Sequence, residues 1–202
     1  MKRLGFNIVL LGQITSGKET QANILKKRYA LKFVESGVYF RKLLKDKGPK
    51  GVLARKTAGK GNAGSMKLMK DFLVSEISKK PKNKDLLFLG NPRLKPEAQL
   101  LKKIMAERKE DFFGLYISLP DKEVYKRSLG RSKGDMKEIY KVFDTKKLIA
   151  KRIDYHKKQV SKSANYFKTL GKLKIIKGYQ PIPKVTKDIL KAIEEYKKRR
   201  EN

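Results

Sequence analysis

Residues Gly12–Gln21 read GQITSGKETQ, and this stretch decides the fold. It follows the apolar run Phe6–Leu11 and places four residues between a glycine and the pair Gly17 and Lys18. This is the spacing of a Walker A loop, whose backbone N–H groups curl around phosphate oxygens at the start of a helix. The pattern alone also fits an ordinary glycine turn. The strand signal before it and the helix signal after it favour a phosphate-binding loop.

Strand and helix signals alternate along the rest of the chain. A helix is predicted from Lys18 to about Ala30, and a short strand over Leu31–Glu35. Each further apolar run is read as a strand, and these runs are Leu86–Leu89, Phe112–Leu119 and the LKIIKG stretch that ends at Gly178. Such alternation predicts an α/β fold with a parallel sheet. Residues 1–202 are expected to form one domain.

Two apolar stripes at helical spacing are expected to pack in the core. They are Ile149, Ile153, Val160, Ala164 and Phe167, and then Val185, Ile189, Ile193 and Tyr196. Two other segments interrupt the alternation, a glycine- and lysine-rich one over 47–64 and a short polar one over 132–141. Both are interpreted as insertions over the edge of the sheet that binds ligand.

Composition excludes several classes of protein. The chain has no cysteine, which excludes disulfides, thiolate zinc sites and thiol catalysis. No apolar run approaches the roughly 20 residues of a membrane helix, and the apolar run before Gly12 is too short for a signal peptide. A cytoplasmic location is therefore expected. The single histidine, His156, cannot form a histidine metal cluster by itself.

Charge is the most unusual bulk property. The chain carries 52 Lys and Arg against 20 Asp and Glu, a net charge of +32, which attracts polyanions at low salt. An RNA or ribosomal association is one interpretation. The other is a solvated, lysine-rich surface, since 41 of the basic residues are lysine and only 11 are arginine, spread along the chain.

The order of residues after the loop glycine resembles one family. Adenylate kinases carry glycine, lysine, glycine, threonine and glutamine there, and this chain has Gly17, Lys18, Glu19, Thr20 and Gln21. Further stretches resemble family motifs in family order. They are ESGVYFR (35–41), AGKGN (58–62), GNPRLKPEAQ (90–99), KRSLGR (126–131), KRIDYHKKQ (151–159) and IIKGYQPIPKVTKDIL (175–190).

This resemblance implies a nucleoside monophosphate kinase of the P-loop NTPase type, with a doubly wound parallel sheet and helices on both faces. Such enzymes transfer the γ-phosphate of ATP to a nucleoside monophosphate, with Mg²⁺ as cofactor, and AMP is the expected acceptor, with GMP as the alternative. Residues 36–66 would form the monophosphate-binding insertion and residues 131–145 a short lid, which has no cysteines for a zinc site. A monomer is expected.

The resemblance also implies roles for individual residues. Lys18, Arg93, Arg131 and Arg152 would act on the transferring phosphoryl group. The nucleoside triphosphate would be held by Gly12, Ser16, Gly17, Lys18, Glu19, Thr20, Arg127, Arg131 and Gln180. The monophosphate would be held by Ser36, Arg41, Lys60, Gly61, Gly90, Arg93 and Glu97. A solvated surface charge is the alternative for each arginine, but arginine is the minority basic residue, and five at family phosphate positions argue against chance.

Departures from the family concentrate on its acids. Leu89 and Val38 stand where the family has aspartates that position the magnesium ion, and Asp85 lies too far upstream to replace them. Glu19 stands where the family has glycine. It either faces away and complements the helix dipole, or faces the metal and partly replaces the missing acids, with Thr20 as a possible ligand.

Two other positions bear on specificity and on the lid. Glu97 stands where the family uses glutamine to read adenine, and a carboxylate offers only acceptors, which favours guanine. Gln99 keeps adenine open as an alternative. Lys141 takes the place of a family arginine in the lid, and His156 is interpreted as structural.

Two functions from different classes remain. One is an active nucleoside monophosphate kinase, favoured by Lys18 and the arginines. The other is a nucleotide-binding relative without phosphotransfer that acts as a basic protein on RNA or a ribosome, favoured by Val38, Leu89 and the charge.

Overall fold

The structure is a computed structural model, and it describes residues 1–57, 65–133 and 145–201. Its centre is a parallel sheet of five strands in the order β2-β3-β1-β4-β5. The strands are β1 (Asn7–Gly12), β2 (Leu31–Val34), β3 (Asp85–Leu89), β4 (Phe112–Ser118) and β5 (Leu173–Lys177). Every strand expected from an apolar run is present, with its ends moved by at most two residues. The α/β sheet prediction is confirmed.

Helices connect the strands on both faces of the sheet. They are α1 (Lys18–Arg28), α2 (Ser36–Lys45), α3 (Pro49–Thr57), α4 (Met66–Ser78), α5 (Lys95–Glu107), α6 (Asp121–Lys133), α7 (Lys146–Tyr155), α8 (Ser161–Thr169) and α9 (Ile182–Glu201). A search of the described helices finds none with the length and apolarity that a membrane span needs.

The central strand β1 is buried on both faces because its side chains alternate between two cores. Ile8 and Leu10 pack in a core formed with α1 and α9. Val9 and Leu11 point the other way, into a core formed with α4, α5 and α8. This continuous apolar run is what a buried parallel strand requires. The predicted C-terminal stripe is buried in α9 on the first of these faces.

A third, smaller core lies within the segment between β2 and β3. Leu43 of α2, Ala54 of α3 and Leu68 of α4 are buried against one another, with Tyr39 and Phe40 packed beside them. The segment predicted as a glycine-rich insertion thus contains a helix, α3. Residues 58–64, which include Lys60 and Gly61, lie outside the described residues.

The stripe predicted for one long helix runs through three consecutive helical segments. Between α7 and α8 the chain makes a π-helical turn over His156–Val160. A π turn inserts an extra residue into the helical repeat and is common near functional sites. Along this run Ile149, Val160, Ala164 and Phe167 are buried.

Two carboxylates, one buried and one half-buried, hold the chain ends at the amino edge of the sheet. Asp85, 1% exposed, accepts from the backbone N–H of Leu4 at 2.8 Å and pairs with Arg3 at 2.9 Å. It lies at the start of β3, so it does not face the opposite edge, where ligand is expected. Asp111, just before β4, accepts from Tyr196 Oη at 2.8 Å and also pairs with Lys172.

The sheet has β2 at one edge and β5 at the other. On β5, Lys174, Ile175 and Lys177 are exposed. On β2, Lys32 pairs with Glu76 of α4 at 3.1 Å.

Candidate active site

The predicted phosphate loop connects β1 to α1 at the carboxyl edge of the sheet. Gly12 has φ +146°, and a side-chain carbon there would lie 2.5 Å from the carbonyl oxygen of Ile117. Gly17, with φ +87°, caps the first turn of α1. Only glycine adopts these conformations readily, and they aim the unpaired N–H groups of the first turn at one point. The local geometry is that of an anion-binding loop.

Lys18 lies over this loop. Its Nζ donates to the carbonyl oxygen of Gly12 at 2.9 Å and to that of Gln13, and it lies 3.3 Å from Ser16 Oγ. Ser16 is buried, with 3% of its surface exposed. The ammonium group is therefore held against this loop by three oxygen atoms.

A cleft of about 590 Å³ opens above the loop, and most of the basic residues predicted for the site line it. Ser16, Gly17, Glu19 and Thr20 line one part of it, and Gly90 another. The basic residues that line it are Lys18, Arg41, Arg93, Arg127 and Arg152.

The four arginines of the cleft come from three helices and one loop. Arg41 is on α2, Arg93 lies between β3 and α5, Arg127 is on α6 and Arg152 is on α7. The carboxyl ends of β1, β3 and β4 meet at the same edge, where the chain crosses from one side of β1 to the other, and ligands bind at such points. This topology explains how residues distant in sequence line one cleft.

A smaller pocket of about 130 Å³ lies beside the cleft. It shares Lys18, Arg93 and Arg152 with the cleft, and it is also lined by Gly12 and His156. Its lining therefore brings the histidine to the side of the phosphate loop.

His156 is the residue of this pocket whose position sequence reasoning missed. It is 7% exposed, and its Nε2 lies 3.4 Å from Tyr116 Oη. Burial, followed by the positive charge of Lys18, lowers the pKa of His156 to about 4, although Asp121 opposes this. The ring is therefore neutral at pH 7. Its signal in the sequence is only its place four residues after Arg152.

Arg127 and Arg93 are each held by a local contact. Arg127 Nε donates to Glu123 Oε1 at 2.6 Å, one helical turn away on α6. Arg93 Nε lies 3.3 Å from the carbonyl oxygen of Gly90. Such contacts restrict a long side chain and reduce the entropy that it loses when it binds phosphate.

The two positions that lack the family aspartates are apolar surfaces of the cleft. Val38, 38% exposed, and Leu89 both line it. Two carboxylate residues also line it, Glu19 in the first turn of α1 and Glu35 at the N-cap of α2. Sequence reasoning missed Glu35, whose signal is that it directly follows β2. Within the described ranges there is no group of three or more His, Asp or Glu residues able to hold a metal ion.

Glu97 has a different position from the one that its sequence match implies. It is fully buried, and its Oε2 accepts from the backbone N–H of Arg93 at 2.6 Å and of Leu94 at 3.2 Å. Burial raises the pKa of its carboxyl group, more than the two N–H groups lower it. The described lining of the cleft does not include Glu97, and Gln99 is on the exposed side of α5. The carboxylate therefore caps a helix.

Other predicted residues lie beside the cleft or outside the described residues. Ser36 is buried at the start of α2, between Glu35 and Gly37, which both line the cleft. Gln180 donates to Asp188 Oδ2 at 2.7 Å, outside the described cleft lining. The side chain of Arg131, with Lys60, Gly61, Lys141 and most of the predicted lid at 131–145, is outside the described part.

Comparison with known proteins identifies the group to which this site belongs. The sequence profile of a family described as adenylate kinase matches residues 10–172, which contain the loop and all four arginines of the cleft. The chain belongs to the adenylate kinase family. As a member it is a phosphotransferase, and the enzyme prediction made from the sequence is confirmed.

Relatives across the adenylate kinase family match nearly the whole chain. A protein named adenylate kinase from Bacteroides fragilis is 30% identical over 189 residues, which cover 93% of this chain and 98% of the relative. Another of that name, from Parabacteroides distasonis, is 30% identical over 192 residues, covering 95% and 99%. One from Clostridium novyi is 25% identical over 211 residues, covering 93% and 98%.

Proposed function

We propose that this adenylate kinase family member transfers the γ-phosphoryl group of ATP to AMP and so forms two molecules of ADP. One observation carries the proposal: the loop lysine and four arginines line a single cleft. Five cations against two carboxylates leave the cleft with an excess of positive charge that favours a polyanion, and two nucleotides that meet at their phosphates are such a polyanion.

The two nucleotides are assigned to opposite sides of the cleft. The phosphate loop, Lys18 and Arg127 would hold ATP. Arg41 and Arg93 would hold the phosphate of AMP, and the planar guanidinium of each suits a pair of phosphate oxygens. Arg152 lines both the cleft and the smaller pocket, which supports a place near the transferring group.

Phosphoryl transfer in this arrangement depends on position and charge. An oxygen of the AMP phosphate attacks the γ-phosphorus, and the bond from that phosphorus to the bridging β–γ oxygen breaks. The electron pair of this bond passes to the β-phosphate. Lys18, Arg93 and Arg152 would neutralise the negative charge spread over the transferring group, which stabilises the transition state more than the separated substrates.

The side chains of the cleft fit a magnesium ion that is held mainly by phosphates and water. Bound Mg²⁺ keeps several waters and needs only one or two protein ligands, which the Thr20 hydroxyl and Glu19 can supply. When bound, the ion would neutralise part of the negative charge of the phosphates. Val38 and Leu89 contribute no ligand, so we propose that Glu19 partly replaces the missing aspartates.

AMP is the proposed acceptor because the argument for GMP depended on Glu97. The Oε2 atom of this fully buried carboxylate is engaged by two backbone N–H groups, and its Oε1 atom is buried with no hydrogen-bond partner among the described residues. Glu97 is also absent from the described lining of the cleft, where the base would have to meet it. The names of the relatives also support AMP. A cytoplasmic location and a monomeric state remain predictions.

A second function, binding to RNA or a ribosome without phosphotransfer, rests on the net charge of +32. Salt-sensitive binding to RNA is expected from that charge alone and does not support this function. Co-purification with a defined ribonucleoprotein at physiological salt, together with no turnover, would support it.

A coupled assay with ATP, Mg²⁺ and each of AMP, GMP, CMP and UMP tests the proposed function. AMP is expected to give the highest kcat/KM. Lys18→Met is expected to lower kcat by about a thousandfold, because transition-state charge loses a preorganised cation. Lys103→Met, on the exposed face of α5, is the matched control and retains activity. Intact nucleotide binding without turnover contradicts the proposal.

A further inference from the structure

Gln13, the second residue of the phosphate loop, is buried and uses both ends of its side-chain amide. It is 6% exposed. Its Oε1 accepts from the backbone N–H of Leu119 at 3.0 Å, and its Nε2 donates to Asp121 Oδ1 at 3.2 Å. An amide is the side-chain group that donates at one end and accepts at the other. Leu119 lies between β4 and α6, and Asp121 is at the start of α6.

Asp121 extends this contact to the helices that carry the arginines. It is the first residue of α6, which also carries Arg127. Its Oδ2 pairs with Lys157, in the π turn that directly follows α7 and Arg152. One chain of polar contacts therefore joins the loop to α6, which carries Arg127, and to the π turn that follows α7, which carries Arg152.

The loop has two further contacts that depend on the same region. Thr15 Oγ1 lies 3.4 Å from the carbonyl oxygen of Val124, in the first turn of α6, and Thr15 has φ +57°. The carbonyl oxygen of Gln13 itself accepts from Lys18 Nζ. A shift of Gln13 would thus move the lysine relative to α6.

We propose that Gln13 is a positioning residue for phosphoryl transfer, which through Asp121 fixes the phosphate loop and Lys18 relative to α6 and Arg127. The proposal rests on the proposed function for the place of ATP. A glutamate at position 13 has only acceptor oxygens. Its carboxylate would therefore lie against the Asp121 carboxylate, which has the same charge. A side chain without polar groups would leave the buried N–H of Leu119 without its acceptor.

A donor–acceptor exchange tests the pairing. Gln13→Glu keeps an acceptor for Leu119 but places a carboxylate against Asp121, and we expect kcat/KM for ATP to fall by about tenfold to a hundredfold. Asp121→Asn alone keeps an acceptor for Gln13, and we expect a change below about threefold because its pair with Lys157 is exposed. In the double variant the new amide donates to the new carboxylate, and we expect recovery to within about threefold of the original protein.

Two controls separate positioning from general stability. Asn165→Asp, on the exposed face of α8, makes the same amide-to-carboxylate change away from the cleft and is expected to leave kcat/KM unchanged. The affinity for AMP, measured by calorimetry, is expected to stay within twofold in Gln13→Glu, because Arg41 and Arg93 are on other elements. If Gln13 had only a structural role, Gln13→Glu would lower Tm. At temperatures well below Tm, kcat and the KM for ATP would then be unchanged.

The result distinguishes this proposal from the proposed function. If the double variant is no more active than Gln13→Glu, the positioning role is wrong while the kinase activity stands. If the original protein has no turnover, the proposed function fails. The same cycle is then measured as the affinity for a fluorescent ATP analogue, where recovery supports the positioning role and its absence overturns it.

Discussion

The Glu97 carboxylate lies 2.6 Å from the backbone nitrogen of Arg93 and accepts its hydrogen bond. The sequence predicted that Glu97 contacts the base. Instead, it holds the main chain of Arg93, which lines the cleft. Capping of this kind satisfies N–H groups at the start of α5 that have no partner within the helix. We therefore expect Glu97 to affect the stability of the fold and not the choice of base.

Removal of the Glu97 carboxylate is expected to affect stability first. Glu97→Ala should lower the free energy of unfolding by about 2 kcal/mol and Tm by roughly 4–8 °C, because two backbone N–H groups lose their acceptor. Glu97→Gln retains an acceptor oxygen and should lower the free energy of unfolding by less than about 1 kcal/mol. Calorimetry measures both. The ratio of AMP to GMP turnover should be the same in all three proteins, and a shift towards AMP in Glu97→Gln would restore the base-reading role.

Glu19 provides a test of metal binding. If its carboxylate binds Mg²⁺ as proposed, Glu19→Gln should raise the Mg²⁺ concentration for half-maximal rate by about tenfold. Glu107→Gln, on the exposed part of α5, is the control. If Glu19 only complements the dipole of α1, the substitution should leave the Mg²⁺ dependence unchanged and lower stability by about 0.3–1 kcal/mol.

His156 predicts a pH dependence of stability. Its pKa is lowered to about 4 in the folded chain, mainly by burial, from 6.5. The unfolded chain therefore binds the extra proton first, and the contribution of His156 is complete above pH 6.5 and is lost as pH falls towards 4. The loss should reach ~3 kcal/mol. Denaturant unfolding at several pH values measures it, and His156→Gln should flatten the slope between pH 6.5 and 4. An unchanged slope in that variant would contradict the prediction.

Asp111 should affect stability without affecting activity. Its hydrogen bonds to Lys172, Tyr196 and the N–H of Phe112 lower its pKa, although burial opposes this. Asp111→Asn should lower the free energy of unfolding by about 2 kcal/mol, which corresponds to a decrease in Tm of roughly 4–8 °C. The kcat at 25 °C should not change, because Asp111 lies at the edge of the sheet opposite the cleft.

Two further observations test this interpretation of Asp111. The depressed pKa means that its contribution is present above the unfolded value near 3.8 and is lost as pH falls through the lower folded value. The control Asp71→Asn removes an exposed pair with Lys50 and should cost less than about 0.5 kcal/mol. Equal losses in the two variants would mean that the contacts of Asp111 contribute no more than a surface pair.

The parts of the fold that the sequence predicted are those whose signal is local. The Phe6–Leu11 run, the glycines of the loop and the stripe in α9 each lie within one element, so their periodicity indicates burial directly. The arginines were found by a different route. Their elements are far apart along the chain, and only the family order of motifs indicated that Arg41 and Arg152 belong to one site.

The positions that the sequence did not resolve are those whose role depends on side-chain direction. Glu97 at the start of a helix serves equally well as a base reader or as a cap, and only its burial distinguishes the two. Gln13 finds its two partners 106 and 108 residues away, and nothing near it in the chain indicates them. His156 acquires its neutral state from burial and from Lys18, which approaches from another element.

Two lysines on the edge strand β5, Lys174 and Lys177, are part of the excess positive charge and lie far from the phosphate loop in the sequence. An outer strand of a sheet presents unpaired N–H and C=O groups to which a strand of another molecule can add, and exposed lysines oppose such addition. Ile175, 54% exposed, lies between the exposed Lys174 and Lys177. Ammonium groups on both sides of this apolar residue act as gatekeepers against aggregation. We therefore expect the flanking lysines to oppose the addition of a strand from another molecule at this edge of the sheet.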